Sequence, residues 1–465
     1  MEQNKSYDIL ALTSLLEDKR YTDLIRELDR IPPVDAADFL SELDEGRLPV
    51  VFRLLKKDTA AAIFAEMEPE LQSAILARMN DREVRSIIDD LYLDDAADLL
   101  EELPAGVVKR LMKLATPETR AELNRLLSYP DNSVGSVMTS EFIDLRRDMT
   151  CADAIARIRK IGLDSETVYV AYVTDPSRVL EGVVPLKKLL FASPETPIAE
   201  IMDTGIVFAY TGDDREVAAN AISHYDLLAL PVVDKEKRLV GIVTVDDAMD
   251  VIEDEATADI ERMAAILPTD KPYTRTGVFE TFYKRVPWLL LLMLTATLTG
   301  SIISHYEAAI GTYAVLTVFF PMLMGTGGNA GSQSSVAVIR SLSLGEIETR
   351  DLFRVLWKEL RVSMLCGVAL SVATFIKLML IDFKLQLSTV TESGMTQNNL
   401  VLALIISSTL FFVIVVAKLV GTVLPIAAKR IGLDPAVMAS PFITTVVDTV
   451  SLIIYFSIAS RVLGF

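Results

Sequence analysis

The spacing of apolar residues along this chain changes twice. Over residues 1–130 they recur every three or four places, in short runs broken by acidic and small residues. VDAADFLSEL (34–43), DTAAAIFAEM (58–67) and DDAADLLEEL (94–103) are three versions of one unit, with an Asp start, paired alanines and an apolar tail. An Asp at a helix start caps it and complements its dipole, and helical units repeated in this way predict an α-superhelix. From 136 to 257 a longer unit occurs twice, a Met-containing opening followed by helix, two strands and helix. SVMTSEFIDLRRDMTCADAIARI (136–158) answers EIMDTGIVFAYTGDDREVAANAI (200–222), and DPSRVLEGVVPLKKLL (175–190) answers DKEKRLVGIVTVDDAM (234–249). Beyond residue 284 the runs become continuous. Five of them, at 286–304, 309–339, 362–381, 400–427 and 436–460, are long enough as helices to cross a hydrocarbon core of ~30 Å, which takes ~20 residues.

The fold class is therefore multidomain. An all-α superhelical domain (1–131) precedes an α+β repeat pair (132–198 and 199–257), a connecting helix (258–283) and a five-helix transmembrane domain (284–465). Charge follows the same division. Residues 1–275 hold 32 Lys and Arg against 54 Asp and Glu, whereas residues 276–465 hold 13 against 10. An acidic front body excludes nucleic acid as a partner; lipid surrounds the back body. The first residues lack a secretory apolar core, so the N-terminus is expected in the cytoplasm. Connections 2–3 and 4–5 carry Arg340, Arg350, Arg354, Lys358, Arg361, Lys429 and Arg430, while connection 1–2 (HYEAAIGT) has no Lys or Arg. The positive-inside rule agrees with a cytoplasmic N-terminus and puts the C-terminus outside. A multi-pass membrane protein is the expected placement.

With two Cys and two His in the chain, thiolate and imidazole metal sites lack ligands. Any metal handled here is held by oxygen. No nucleophile and base pair suggests an enzyme. Between Asp434 and Arg461 the only charged residue is Asp448, inside FITTVVDTVSLIIYF (442–456). A carboxylate in mid-membrane costs about 2.5–3.5 kcal/mol, so its default reading is a functional site on a polar path; the alternative is a packing Asp bonded to a neighbouring helix. The second span reads PMLMGTGGNAGSQSS (321–335), whose Asn329, Ser332 and Gln333 offer neutral oxygens to a hydrated ion. Gly-rich breaks in a spanning helix occur where they line a cavity, and small residues equally make packing seams. Lys377 and Lys418 are expected to snorkel towards span ends. Just before the first span, DDAMDVIEDEATADIERM (246–263) crowds carboxylates onto a few helical turns; hydrated Mg²⁺ or Ca²⁺ is their natural neutraliser.

The doubled unit resembles the cystathionine-β-synthase (CBS) domain pair, which commonly binds adenine nucleotides. In that family a hydroxyl residue followed three positions later by Asp contacts ribose and phosphates; Thr244 and Asp247 match it, while the first copy has Pro185 and Lys188. Whether the pair takes ATP or another adenine nucleotide stays open at this point.

The whole chain resembles the MgtE family of bacterial magnesium channels and transporters, most specifically in GTGGNAGSQ (325–333) and TTVVDTVSLIIY (444–455). The resemblance implies a homodimer with a pore between the two membrane domains, in which the last-span Asp, here Asp448, binds hydrated Mg²⁺ and Thr444 joins the pore lining. It also implies cytoplasmic Mg²⁺ sites that hold the pore shut. The matching positions are Asp94, Asp98, Asp214, Glu216, Asp226, Asp247 and Asp250 in the cytoplasmic domains, Glu255 and Asp259 in the connecting (plug) helix, and Asp434. This chain departs at Ala258 and Ser440, where relatives can carry a carboxylate and Asn. A membrane-anchored divalent-cation or nucleotide sensor that conducts nothing is the rival expectation.

Overall fold

The computed structural model describes residues 9–464 except 45, 89–90, 164, 270–272, 274–275, 308–312, 387, 391–395 and 439. It divides into two compact units, 1–253 and 254–465.

The first unit opens with ten helices among the described residues, α1 (Ile9–Glu17) to α10 (Pro117–Leu126). The repeated unit recognised in the sequence forms α3 (Pro33–Ser41), α5 (Lys57–Ala65) and α8 (Leu93–Glu102), and it buries the same four places each time. These are Ala36, Ala37, Phe39 and Leu40; Ala60, Ala61, Ile63 and Phe64; and Ala96, Ala97, Leu99 and Leu100. Spacings of one, three and four residues make one helix face, and its alanines let neighbouring helices approach. The capping expectation is corrected. Pro32, Lys56 and Tyr92 occupy the caps of these three helices without a side-chain capping bond, and the Asp of each unit sits in the first turn, where it still meets the positive end of the dipole.

The doubled unit folds as two three-stranded sheets of the same order. In the first, β1 (Asp144–Leu145) runs parallel to β2 (Val170–Thr174), which pairs antiparallel with β3 (Leu180–Pro185). In the second, β4 (Ala209–Tyr210), β5 (Ala229–Val233) and β6 (Leu239–Thr244) repeat that pattern. The registers correspond, Val173 facing Gly182 and Val232 facing Gly241. Those glycines explain the Met of each opening. A Cβ on Gly241 would lie 2.7 Å from the Met138 sulfur, and one on Gly182 would lie 2.8 Å from the Met202 sulfur. Each copy's opening thus packs on the other copy's last strand, tied by the bridges Thr139 to Ile242 and Val183 to Asp203. One core runs from Leu12 through the helices to Leu230, Val243 and Val251, so the helical domain and the second copy share it. Helix α11 (Cys151–Ile161) covers the first sheet, α12 (Leu186–Phe191) and α13 (Ile198–Ile201) follow β3, and α14 (Arg215–Tyr225) packs on β5. Helix α15 (Val245–Met263) begins directly after β6.

In the second unit α16 (Val278–His305), α17 (Phe320–Ser343), α18 (Leu352–Lys377), α19 (Asn399–Arg430) and α20 (Ser440–Leu463) have membrane-crossing length. Four of the five stretches, those holding α16, α18, α19 and α20, are also apolar enough to cross, with mean hydropathy between 1.8 and 2.9. The α17 helix has 24 residues, about 36 Å at 1.5 Å per residue, but carries the Gly, Ser, Asn and Gln run. It starts at Phe320, with Pro321 in its first turn, after a 3₁₀ turn at Ala314–Phe319. The Gly-rich run is unbroken α-helix, which corrects the expected break: its glycines make room for neighbours. The buried α19 forms the centre of the bundle, against α17, α18 and α20, and α16 packs on α20.

Candidate functional site

Three groups of polar side chains stand out. The first is an acidic nest in the first unit. Asp94 and Asp95 lie in the first turn of α8, and Asp246 and Asp247 in the first turn of α15. The Leu93 N–H donates to Glu141 Oε2 at 3.1 Å, drawing Glu141 to the start of α8. The Glu166 N–H donates to the Glu141 carbonyl at 2.8 Å, which brings a second glutamate alongside. Oxygens of Asp94, Glu141 and Glu166 all lie within 4.8 Å of one another. Asp247 accepts a hydrogen bond from the Thr244 hydroxyl. Burial, then the charges of Asp247, Glu166 and Asp95, pushes the Asp94 carboxyl well above its ordinary range. Burial and Asp247, Glu66 and Asp246 push Asp95 up to about 6. Burial and four neighbouring carboxylates push Glu166 up to about 8, and its Oε2 is buried without a hydrogen-bond partner among the described residues. Burial raises Asp247 and Asp250 too, and Glu66 is raised by burial and by Asp250 and Asp246. Like charges at this density favour a multivalent cation, and an all-carboxylate donor set suits a hard one.

The sequence reading anticipated Asp94, Asp247 and Asp250 here, but not Glu141, Glu166 and Glu66. No spacing rule reaches them, because they come from three separate segments. Asp98 is exposed one turn along α8. Asp214 caps α14 by accepting from the Glu216 N–H at 2.9 Å, and Asp226 ends the same helix in the left-handed conformation, φ 52°. Eleven residues separate these ends by about 16 Å, so in one chain Asp214 and Glu216 do not meet Asp226. Thr244 and Asp247, the nucleotide candidates, lie in the acidic nest. A separate cleft of about 640 Å³ opens between the two copies, lined by Tyr169, Val183, Leu186, Lys187, Asp226 and Leu228 among others. Neither Thr244 nor Asp247 lines it. Lys188 beside it binds Asp203 Oδ1 at 2.5 Å and the Ile201 carbonyl at 3.2 Å.

The second group lies in the second unit, where the end of α15 meets the membrane helices. Met263 packs on Ile339 and Ala436. Asp259 Oδ2 accepts from the Ser343 hydroxyl at 3.2 Å. The Arg262 guanidinium faces three carboxylates, with Nη1 at 3.1 Å from Asp434, 3.6 Å from Asp259 and 3.9 Å from Glu255. Burial and Asp434 raise the Asp259 carboxyl, partly offset by Ser343 and Arg262. Glu255, Asp259 and Asp434 are thus brought together around one cation that the chain itself supplies.

The third group is Asp448, in the middle of α20. It is half-buried, and its Oδ1 is buried with no hydrogen-bond partner among the described residues. The packing alternative, an Asp bonded across to another helix, finds no such bond for this oxygen. Next to it, the Thr449 hydroxyl meets that of Thr299 on α16 at 3.2 Å. Gly327, Gly328 and Gly331 of α17 lie against α20: a Cβ on Gly328 would come within 2.9 Å of Thr444, and one on Gly327 within 3.1 Å of Val447 and Ser451. Thr444 and Ser332 are half-buried, while Asn329 and Gln333, one turn apart on α17, are exposed. Lys377 pairs with Asp382 at 2.9 Å at the end of α18, in keeping with snorkelling. Lys418 does the opposite. It is 5% exposed within the bundle and donates to Ser334 Oγ at 3.2 Å, because a polar partner across the helix interface removes the need to reach for water.

Comparison with known proteins accounts for both units. A family profile described as a divalent cation transporter matches residues 320–458, one described as the MgtE intracellular N domain matches 31–132, and a CBS domain profile matches 198–254. The magnesium transporter MgtE of Thermus thermophilus is 37% identical over 447 residues, 95% of this chain and 96% of its own. That of Bacillus subtilis is 32% identical over 463 residues, 99% of each chain. The fold also resembles a crystal structure of the cytosolic domain of the Mg²⁺ channel MgtE in complex with ATP, with TM-score 0.50 and 38% identity, covering 52% of this chain and all of that one. A crystal structure of the soluble part of a magnesium transporter gives TM-score 0.51 at 31% identity, over 53% of this chain and 98% of its own. With likeness that runs the length of the chain, this protein belongs to the MgtE family of magnesium transporters.

Proposed function

We propose that this chain is a Mg²⁺-gated magnesium channel that takes up Mg²⁺ down its electrochemical gradient. The observation that carries the reading is Asp448, a mid-helix carboxylate with a buried, unpartnered oxygen on a helix packed against the Gly-rich α17. Mg²⁺ dehydrates reluctantly, so a carboxylate with neutral oxygens, from Thr444, Asn329, Ser332 and Gln333, suits an ion that keeps most of its waters. One carboxylate neutralises half of a divalent ion. A homodimer supplies a second Asp448 and places the path between two membrane domains of five spans each, α17 being the fifth. An inside-negative potential adds about 4.6 kcal/mol per 100 mV for a divalent ion, so uptake needs no other energy source. The N-terminus faces the cytoplasm and the C-terminus the outside of a bacterial inner membrane.

Gating follows from the carboxylates. Without bound Mg²⁺, burial and like charge disfavour the ionised nest at Asp94, Asp247 and Asp250, and Glu255, Asp259 and Asp434 gather on Arg262 instead. Mg²⁺ bound there, and between Asp214, Glu216 and Asp226 of facing subunits, favours the closed form, since a ligand stabilises the state it binds better. The connecting segment, 258–283, carries that change from domains 1–131, 132–198 and 199–257 to domain 284–465. A solved relative carries ATP in its cytosolic domain. The 640 Å³ cleft suits an adenine nucleotide better than Thr244 and Asp247, whose acidic neighbours repel phosphate.

The rival reading, a sensor that conducts nothing, accounts for the acidic nest and leaves Asp448 without a role. Purified protein in liposomes separates them. Mg²⁺ influx that stops when Mg²⁺ is raised on the cytoplasmic side supports the channel; no influx at any Mg²⁺ concentration overturns it.

A further inference from the structure

Lys418 is a charged residue that the proposed ion path does not use, yet it is among the most enclosed polar groups of the second unit. It lies on α19 with 5% exposure. Its ammonium donates to Ser334 Oγ on α17 at 3.2 Å, and the Ser334 hydroxyl, 2% exposed, donates in turn to Glu359 Oε2 on α18 at 2.8 Å. A serine has one proton to give, so committing it to Glu359 leaves the oxygen free to accept from Lys418. The result is a directional chain, Lys418 to Ser334 to Glu359, across three helices. Its charges compensate one another, which a buried ammonium requires.

The chain sits one helical turn from a close backbone crossing of α17 and α19. Gly331 precedes Ser334 by three residues on α17, and Gly421 follows Lys418 by three on α19. A Cβ on Gly421 would fall 2.2 Å from the Gly331 carbonyl oxygen, so the two backbones touch there. On its other side Gly331 meets α20, where its own Cβ would lie 2.9 Å from Ile443 and 3.3 Å from Val447, the neighbour of Asp448. In lipid there is no hydrophobic force to fix how far one small-residue face slides along another; packing and interhelical hydrogen bonds set it. Lys418 to Ser334 is such a bond at this crossing.

We infer that Lys418, acting through Ser334, is a positioning residue for ion selection: it fixes the register of α17 on α19 and thereby how α17 packs against the stretch of α20 that carries Asp448. This rests on the reading of Asp448 as the pore carboxylate. A register error of a fraction of an ångström there leaves the carboxylate in place and changes which hydrated cations fit.

The test measures Mg²⁺ and Ca²⁺ influx into liposomes for the full-length protein, for Ser334→Ala, for Lys418→Met with Glu359→Gln, and for Asp448→Asn. The paired variant removes both charges, so no orphan charge prevents folding, and Ser334→Ala removes only the middle link. Both are expected to insert and conduct with a Mg²⁺ over Ca²⁺ ratio lowered about fivefold, the size of effect typical of a coupled hydrogen-bond network. A wild-type ratio in both overturns the inference, since Lys418 and Glu359 would then only neutralise each other. A wild-type ratio in Asp448→Asn overturns the pore reading instead, so the two failures are distinguishable.

Discussion

Arg262 near the end of α15 binds Asp434 in the turn ahead of α20, Nη1 to Oδ2 at 3.1 Å. The same guanidinium nitrogen also faces Asp259 and Glu255. The chain thus places its own cation among three carboxylates, and a divalent ion binding there would compete with the guanidinium for the same oxygens.

Replacing Arg262 with Gln is therefore expected to strengthen divalent binding at this point. Partly exposed pairs of this kind are worth a few tenths to about 1 kcal/mol, so the Mg²⁺ concentration that half-closes the pore should fall about two- to fivefold. Flux from liposomes across a titration of cytoplasmic Mg²⁺ reads it directly. A raised midpoint would mean that Arg262 holds the closed form together instead.

The acidic nest predicts a proton effect. Asp95 and Glu166, pushed up to about 6 and about 8, hold protons in the folded protein where an unfolded chain has lost them. Without divalent cation the first unit should therefore gain stability as pH falls from about 8 towards 5, and lose it as pH rises through those values. Mg²⁺ bound at the proposed site would expel those protons. Calorimetric titration near pH 7 in two buffers of different ionisation enthalpy should show proton release, and binding should weaken as pH falls. Heats independent of the buffer would contradict the nest as a binding site.

Much of this arrangement was legible in the sequence, and what was hidden has a physical cause. The three Ala-Ala units announced one buried helix face each, and the doubled unit announced two copies of helix, two strands and helix, though not the two-residue strands β1 and β4 that complete each sheet. Asp448 stood out because charge in an apolar run is costly. Glu141 and Glu166 did not, since a site assembled from distant segments leaves no local spacing. The two opening methionines were visible as a repeat, but their exchange between copies depends on Gly182 and Gly241 clearing space in the opposite sheet. Lys418 was expected at a span edge because its partner Ser334 lies 84 residues away in sequence. Hydropathy likewise underrates α17, whose small polar residues serve a crossing that only the folded bundle reveals.

The glycine contacts separate two kinds of position on the membrane helices. Gly421→Ala sets a methyl group 2.2 Å from a carbonyl oxygen, and backbone cannot yield as a side chain would. It is expected to cost about 1–3 kcal/mol by overpacking. Gly325→Ala on α17 meets nothing within 4 Å and should be neutral or slightly stabilising. Thermal unfolding in detergent, followed by size-exclusion fluorescence, compares the two. Equal midpoints would contradict the close crossing of α17 and α19.

Neutralising Asp247, Asp250 and Asp259 together is expected to leave the pore open at high Mg²⁺, because sites that favour the closed form are gone. Limited proteolysis of the intact protein with and without Mg²⁺ checks this. Protection by Mg²⁺ that persists unchanged in the triple variant would count against the gating account.

The central claim is that Asp448 forms the ion-binding step of the path. The measurement that tests it most directly is Mg²⁺ influx into liposomes by the Asp448→Ala protein, inserted and folded as the wild type. The account predicts that selective Mg²⁺ influx is lost, by tenfold or more on the order of a charge removed from a buried site. Influx at the wild-type rate and with wild-type preference for Mg²⁺ would contradict it.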